Sequence, residues 1–454
     1  MSRSFWLDTL PARDPHAPLN ESTETDLCIV GGGYTGLWAA LHAKQLDPAR
    51  EVTVLEATSC GNGASGRNGG FLQSSLTHGI GNGLARFPAE MERLERLGLA
   101  NFEALAGDLE RLGIDAEYEL TGDLLVALEP HELAELANDA ELERRFGHRV
   151  DVLDGEQVRA QVSSPMFVGG LWTHTGAALV HPGKLADGLR SAAAAAGVRI
   201  CEYSPVRELE RTHTGVSVRT DGGVIEARRV LLATSAYPPL VRAIRRYVAP
   251  IYDYALMTEP LDRSRRESIG WRSRQGVGDM GNQFHYYRLT ADDRILWGGY
   301  DAVYRHGGPV GPALDEHEPT FAKLSQHFFT TFPQLEGVRF SHKWGGAIDT
   351  CSRFSVFFGR ALGGRVAYAL GYTGLGVGAT RFGAHVALDL LDGRASEATK
   401  LAMVRRRPLP FPPEPLRTGV IQLTRNRLAA ADRNGGRRGI WLTALDRLGL
   451  GFDS

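Results

Sequence analysis

Cysteine is scarce: the 454 residues hold four, Cys28, Cys60, Cys201 and Cys351, none of them in a CxxC pair. That scatter excludes a disulfide framework and a zinc site and makes a reducing compartment the expectation. Charge imbalance is small as well, a formal −2, so no long-range field draws the chain to nucleic acid or to an anionic membrane. The arginines at 242, 245, 246 and 405–407 are read as solvated faces. No apolar run reaches the length of a membrane span. The first 24 residues have no signal-peptide core and carry Pro11, Pro15 and Pro18. A cytoplasmic protein with an irregular N-terminal lead-in is expected. Internal repeats, metal-ligand clusters and a Ser/His/Asp constellation are also missing.

Glycine, by contrast, is abundant: 54 residues, well above the average of about 7%. Such a surplus marks tight turns or places where backbone approaches a ligand. With 43% apolar and 23% charged residues the chain reads as globular, and its length predicts two or three domains. The stretch TDLCIVGGGYTGLWAAL (25–41) breaks an apolar run with glycines and then resumes. It predicts a buried strand over 27–30, a turn, and a helix over 36–45, followed by a strand over 51–55. Strand–helix–strand order indicates a parallel sheet.

From 88 to 147 the pattern turns helical around a strand at 122–128. A helix is predicted through the alanines before Gly197, a hairpin about 221–223, strands across 247–300, a helix over 317–332 and a strand over 366–370. Two blocks unlike a nucleotide fold are separated in sequence, so the second domain is read as discontinuous. The division is 1–24 lead-in; 25–87, 150–244 and 341–400 nucleotide domain; 88–149 and 245–340 substrate domain; 401–454 C-terminal extension. That extension is read as a docking element or as a helix covering the domain.

Gly31, Gly33 and Gly36 fit G-x-G-x-x-G: a tight turn, an approach to pyrophosphate, and close packing of helix on strand. Tyr34 and Thr35 open the helix whose N-terminus would face the anion. Glu56 ends the next strand, where a carboxylate binds ribose hydroxyls. NAD and FAD share this fingerprint. The loop CGNGASGRNGGFL (60–72) that follows suits an extended FAD needing further backbone donors.

GASGRNGG (63–70) after VLEA (54–57), with SPVRELE (204–210), VLLATSAY (230–237), YYRLTADDRILWGGY (286–300), WGGAIDTCSRFSVFFGR (344–360) and YALGYTGLGVGATRFGA (368–384), resembles the D-amino-acid-oxidase/glycine-oxidase superfamily of flavoproteins. The branch it is most similar to is γ-glutamylputrescine oxidase-like. The resemblance implies an α/β fold: a Rossmann-like FAD-binding domain and a discontinuous substrate domain built on a mixed β-sheet with helices. It implies FAD contacts at Ala57, Ala64, Ser65, Arg67, Asn68, Gly69, Gly70, Val206, Ala233, Thr234, Gly374, Leu375, Gly376 and Val377. Relatives often carry His where Leu375 stands. Cys351 is not at the linkage position of covalent-flavin relatives, so non-covalent FAD is expected.

The activity implied is oxidation of a C–N bond of a small amine or amino acid, with hydride passing to flavin N5 and the imine then hydrolysed. O2 or another acceptor would take the electrons. Catalytic candidates are Tyr286, Trp344, Tyr372 and His285; substrate candidates are Arg353, Leu375 and Tyr287. Strand alternation allows only one of Tyr286 and Tyr287 to face the site. Arg288, Arg353 and Arg381 are candidates for a carboxylate clamp; if none faces inward, an uncharged or cationic amine is indicated. The alternative reading is a flavoprotein with structural FAD that acts through a partner.

Overall fold

The computed structural model describes residues 3–447 and 449–450. Two sheets organise it. The first has eight strands, with the order Phe357–Ala361, Val366–Leu370, Val224–Leu232, Thr23–Val30, Val52–Leu55, Arg199–Cys201. A hairpin of Val206–Arg211 and Val216–Thr220 branches from Val224–Leu232. Four of the pairings along this order are parallel. Strands buried on both faces read as continuous apolar runs, and Leu27 to Val30 are all buried. Helices Tyr34–Leu46, Pro182–Ala195 and Gly376–Asp392 cover one face.

The second sheet has nine strands and is mostly antiparallel, with Asp123–Ala127 and Gly276–Asp279 its one parallel pair. Its longest ladder joins Ala249–Thr258 to Phe340–Thr350. Strands Val150–Asp154 and Gly169–Thr173 also belong here. The sheets therefore change over after Thr173 and at Thr350, not at 150 and 341 as the sequence division has it. A core of Tyr287, Trp297, Trp271, Phe328 and Phe332 lies under this sheet.

The lead-in is more than surface coil. Trp6 is fully buried and its indole N–H donates to the Asn68 carbonyl at 2.8 Å; the Ser4 hydroxyl donates to the Gly66 carbonyl at 2.5 Å. Residues 4–8 thus brace the glycine loop from behind. At the other end, helix Leu416–Arg433 lies against the second sheet. Asp432 accepts hydrogen bonds from Asn282 N, Asn282 Nδ2 and Gln283 N, while Gln422 donates to the Tyr304 carbonyl. The extension covers the molecule rather than projecting from it. Among the described residues no helix is long and apolar enough to cross a membrane.

Candidate active site

A cavity of about 1610 Å³ runs between the two sheets, larger than the roughly 300–1,000 Å³ of a single small-ligand site. The first glycine turn forms one end. Gly31 has φ +110°, and a Cβ there would sit 2.5 Å from the Ala233 carbonyl oxygen. A Cβ on Gly36 would overlap the Gly31 carbonyl oxygen. Helix Tyr34–Leu46 starts without a side-chain cap, and Gly33, Tyr34 and Thr35 line the cavity. Its first turn therefore faces the cavity with backbone N–H groups and the positive end of the helix dipole; the Tyr34 N–H meets Ser65 Oγ at 2.9 Å.

Glu56 accepts from the Gly32 N–H at 2.8 Å and the Thr58 N–H at 2.9 Å, and burial raises its pKa. Ala57, Ala64, Ser65, Arg67, Asn68, Gly69, Val206, Ala233 and Thr234 line the same end. Gly36 and Gly70 lie behind it, Gly36 against the turn and Gly70 against Val180 and Arg288. Arg67 is already engaged: it pairs with Asp315 at 2.9 Å and donates to the Gly345 and Asn62 carbonyls. It ties the loop to the second sheet.

Farther along the cavity, Gly374, Leu375, Gly376 and Val377 form a second lining turn. Helix Gly376–Asp392 again begins with no side-chain cap. Asp349, which is 4% exposed, holds this turn by accepting the Gly371 N–H at 2.7 Å. Burial pushes its pKa up to about 6, against about 3.9 for an unperturbed Asp. The native state therefore keeps the proton between pH 4 and 6 while the unfolded chain releases it. Stability from this group is full below about pH 4 and is lost as pH rises through 6, by about 3 kcal/mol. Urea unfolding of Asp349→Asn should lack that component, so the gap between variant and wild type should change by this amount between pH 4 and 7.

Tyr286 and Trp344 line the cavity beside the second glycine loop, with the Tyr286 ring packed on Gly69. The Tyr286 hydroxyl donates to Asp253 Oδ2 at 2.6 Å, and the Trp344 indole donates to the Arg67 carbonyl at 2.9 Å. Burial raises Asp253 to about 6, and burial with the Asp253 charge lifts Tyr286 well above the usual phenol range. Tyr372 also borders the cavity, but its oxygen accepts from the Thr35 hydroxyl at 3.0 Å and packs on Gly383. It locks the two dipole-bearing helices together.

Other candidates lie elsewhere. His285 is buried off the cavity, bound to Asp279 at 2.5 Å and His327 at 3.0 Å, so neither ring nitrogen is available. Tyr287 points to the opposite face, fully buried, and donates to Asp279. Arg353 is 6% exposed and gives its guanidinium to the Ser355, Val356 and Arg406 carbonyls. Arg288 bonds the Val180 carbonyl, and Arg381 pairs with Asp108. None of these three arginines lines the cavity.

Two features escaped the sequence reading. An acidic wall of Glu95, Asp123, Asp139, Glu143 and Asp279 borders the cavity. Burial raises Asp123 to about 6 and Glu143 to about 7. Burial alone would lower His148, but its bond to Glu95 at 3.0 Å and the Glu143 charge raise it. The second is the cavity-lining face of helix Leu416–Arg433, whose Val420, Ile421, Thr424, Arg425 and Leu428 close one side.

Two uncapped helix starts, a half-buried carboxylate at the end of strand Val52–Leu55 and a glycine cradle fit a dinucleotide. A family model described as FAD dependent oxidoreductase (DAO) matches residues 26–390. The chain belongs to this family. The cofactor of this FAD-dependent oxidoreductase is thus FAD. Non-covalent binding agrees with its four cysteines, all buried and none lining the cavity. It is 34% identical over 411 residues to the gamma-glutamylputrescine oxidoreductase of Escherichia coli (strain K12), covering 90% of this chain and 93% of that one. Its fold is similar to glycine oxidase from Geobacillus kaustophilus (TM-score 0.68, 20% identity, 84% and 99% of the two chains). It is also similar to L-proline dehydrogenase from P. horikoshii (TM-score 0.66, 19% identity, 86% and 96%).

Proposed function

We propose that this enzyme oxidises the C–N bond of a small amine or amino acid. The observation that carries the reading is the Tyr286–Asp253 pair, which borders the same cavity as the glycine loops and packs on Gly69. The names of its relatives support the substrate class: a gamma-glutamylputrescine oxidoreductase, a glycine oxidase and an L-proline dehydrogenase.

When bound, FAD supplies the two-electron acceptor. The chain itself positions the amine. The Tyr286 hydroxyl donates its hydrogen bond to Asp253, so its own oxygen lone pairs remain to accept an amine N–H. Trp344 and Phe71 keep water from that end of the cavity. The acidic wall attracts a cationic amine, whose carbon is brought to the glycine-loop face. Positioning of this kind needs no strong protein base.

Product analysis tests the reading. A turned-over amine should yield a carbonyl compound, with ammonia or the cleaved amine released stoichiometrically. Hydrogen peroxide formed in air would identify O2 as acceptor; turnover only with an added dye would assign another acceptor. Unchanged amines across primary, N-alkyl and amino-acid classes would count for the structural-FAD alternative.

A further inference from the structure

The cavity has charge of both signs, and its acidic side accounts for only one end of a substrate. The arginines expected to clamp a carboxylate are all committed to backbone or to Asp108. Of the arginines that do line the cavity, Arg67 is paired with Asp315, Arg207 with Asp221 and Arg438 with Asp446, while Arg242 is exposed to solvent. Arg425 differs. It is half-buried, it borders the cavity, and it makes no hydrogen bond or ion pair with another described residue.

Helix geometry sets its direction. Residues 420, 421, 424, 425 and 428 fall on one face at three- and four-residue spacing, and all five line the cavity. Asp432 and Gln422 fix that helix to the second sheet, so Arg425 is held by a latched element. Its charge reaches His317, which burial and then the cations Arg305, Lys323 and Arg425 lower, against Asp301. The His317 ring stacks on Tyr254 at 5.5 Å, whose ring lies in the core on the face of its strand opposite Asp253. Helix Leu416–Arg433 lies beyond the residues 26–390 that the family model matches.

We infer that Arg425 anchors a carboxylate at the end of the substrate remote from the oxidised amine, so that the preferred substrate carries both groups. A guanidinium presents a fork of donors matched to a carboxylate. The inference rests on the amine-oxidation reading for the identity of the reacting end, but not for the binding of the anion.

The test uses purified holoenzyme and two readouts. The first is anaerobic flavin reduction by 4-aminobutyrate, 5-aminopentanoate and 6-aminohexanoate, each beside the n-alkylamine of equal chain length. The second is glutarate binding by calorimetry, which needs no turnover. Arg425→Gln should raise the half-saturating concentration of the favoured amino acid and the Kd of glutarate about 10- to 100-fold. The limiting reduction rate, FAD content and response to the alkylamine should stay within about twofold, and Arg425→Lys should recover part of the loss. Equal glutarate affinity in wild type and Arg425→Gln would overturn the inference, as would a wild type that binds no glutarate. Glutarate binding lost in the variant, with no amine reducing the wild-type flavin, would sink the amine reading and leave the anchor standing.

Discussion

Gly36→Ala should purify as a colourless or barely yellow protein. A Cβ there runs into the Gly31 carbonyl, and both partners are backbone in a helix start and a strand end, so no rotamer relieves the overlap. Overpacking costs about 1–3 kcal/mol where side chains can shift; here the upper end applies, and the turn that presents N–H groups must open. FAD affinity should fall by about 100-fold or more, read as flavin-to-protein ratio after gel filtration. Gly107→Ala is the matched control, a helix glycine outside the cavity lining whose Cβ would meet nothing within 4 Å. Full flavin content in Gly36→Ala would contradict the cradle.

Asp253→Asn should keep its flavin and lose its rate. The carboxylate sits where the Tyr286 hydroxyl reaches it at 2.6 Å, and burial places its pKa near 6. It is ionised above that pH and protonated below it, so the wild-type rate of flavin reduction should fall as pH drops through about 6. The Asn variant turns the Tyr286 hydroxyl toward a weaker acceptor and removes the charge. Reduction at pH 8 should slow about 100-fold, the scale of a small misplacement of the reacting groups, and the acid limb at pH 6 should vanish. An unchanged limb would assign it to another group, such as Asp123.

The glycine turns were legible because their requirement is local. A helix start that overlaps its own strand end leaves only glycine at Gly36, and sequence spacing records that directly. The fold class followed from the same strand–helix–strand units. Side-chain direction in the second sheet was legible only as an alternative: alternation said that one of Tyr286 and Tyr287 faces inward, and the pairing of His285–Leu289 with Ile295–Gly299 decides for Tyr286. His285 and Arg353 misled because residue type alone does not show that Asp279 and His327, and the Ser355, Val356 and Arg406 carbonyls, already occupy their polar atoms. Strand Phe340–Thr350 was read with the flavin segments because WGGAIDTCSRFSVFFGR (344–360) resembles flavin-proximal segments of the family; its ten-residue ladder with Ala249–Thr258 is a tertiary fact. The C-terminal helix carries a cavity face, yet its latch at Asp432 depends on a loop about 150 residues earlier.

The central claim is that one cavity holds FAD on the glycine-turn side and presents an amine to it from the Tyr286–Asp253 side. The most direct measurement is the visible spectrum of the purified protein under strict anaerobiosis during titration with amines. The account predicts a flavin spectrum, bleached by an amine in wild type and bleached far more slowly in Asp253→Asn at equal flavin content. A protein without flavin, or one that bleaches equally fast in both forms, would contradict it.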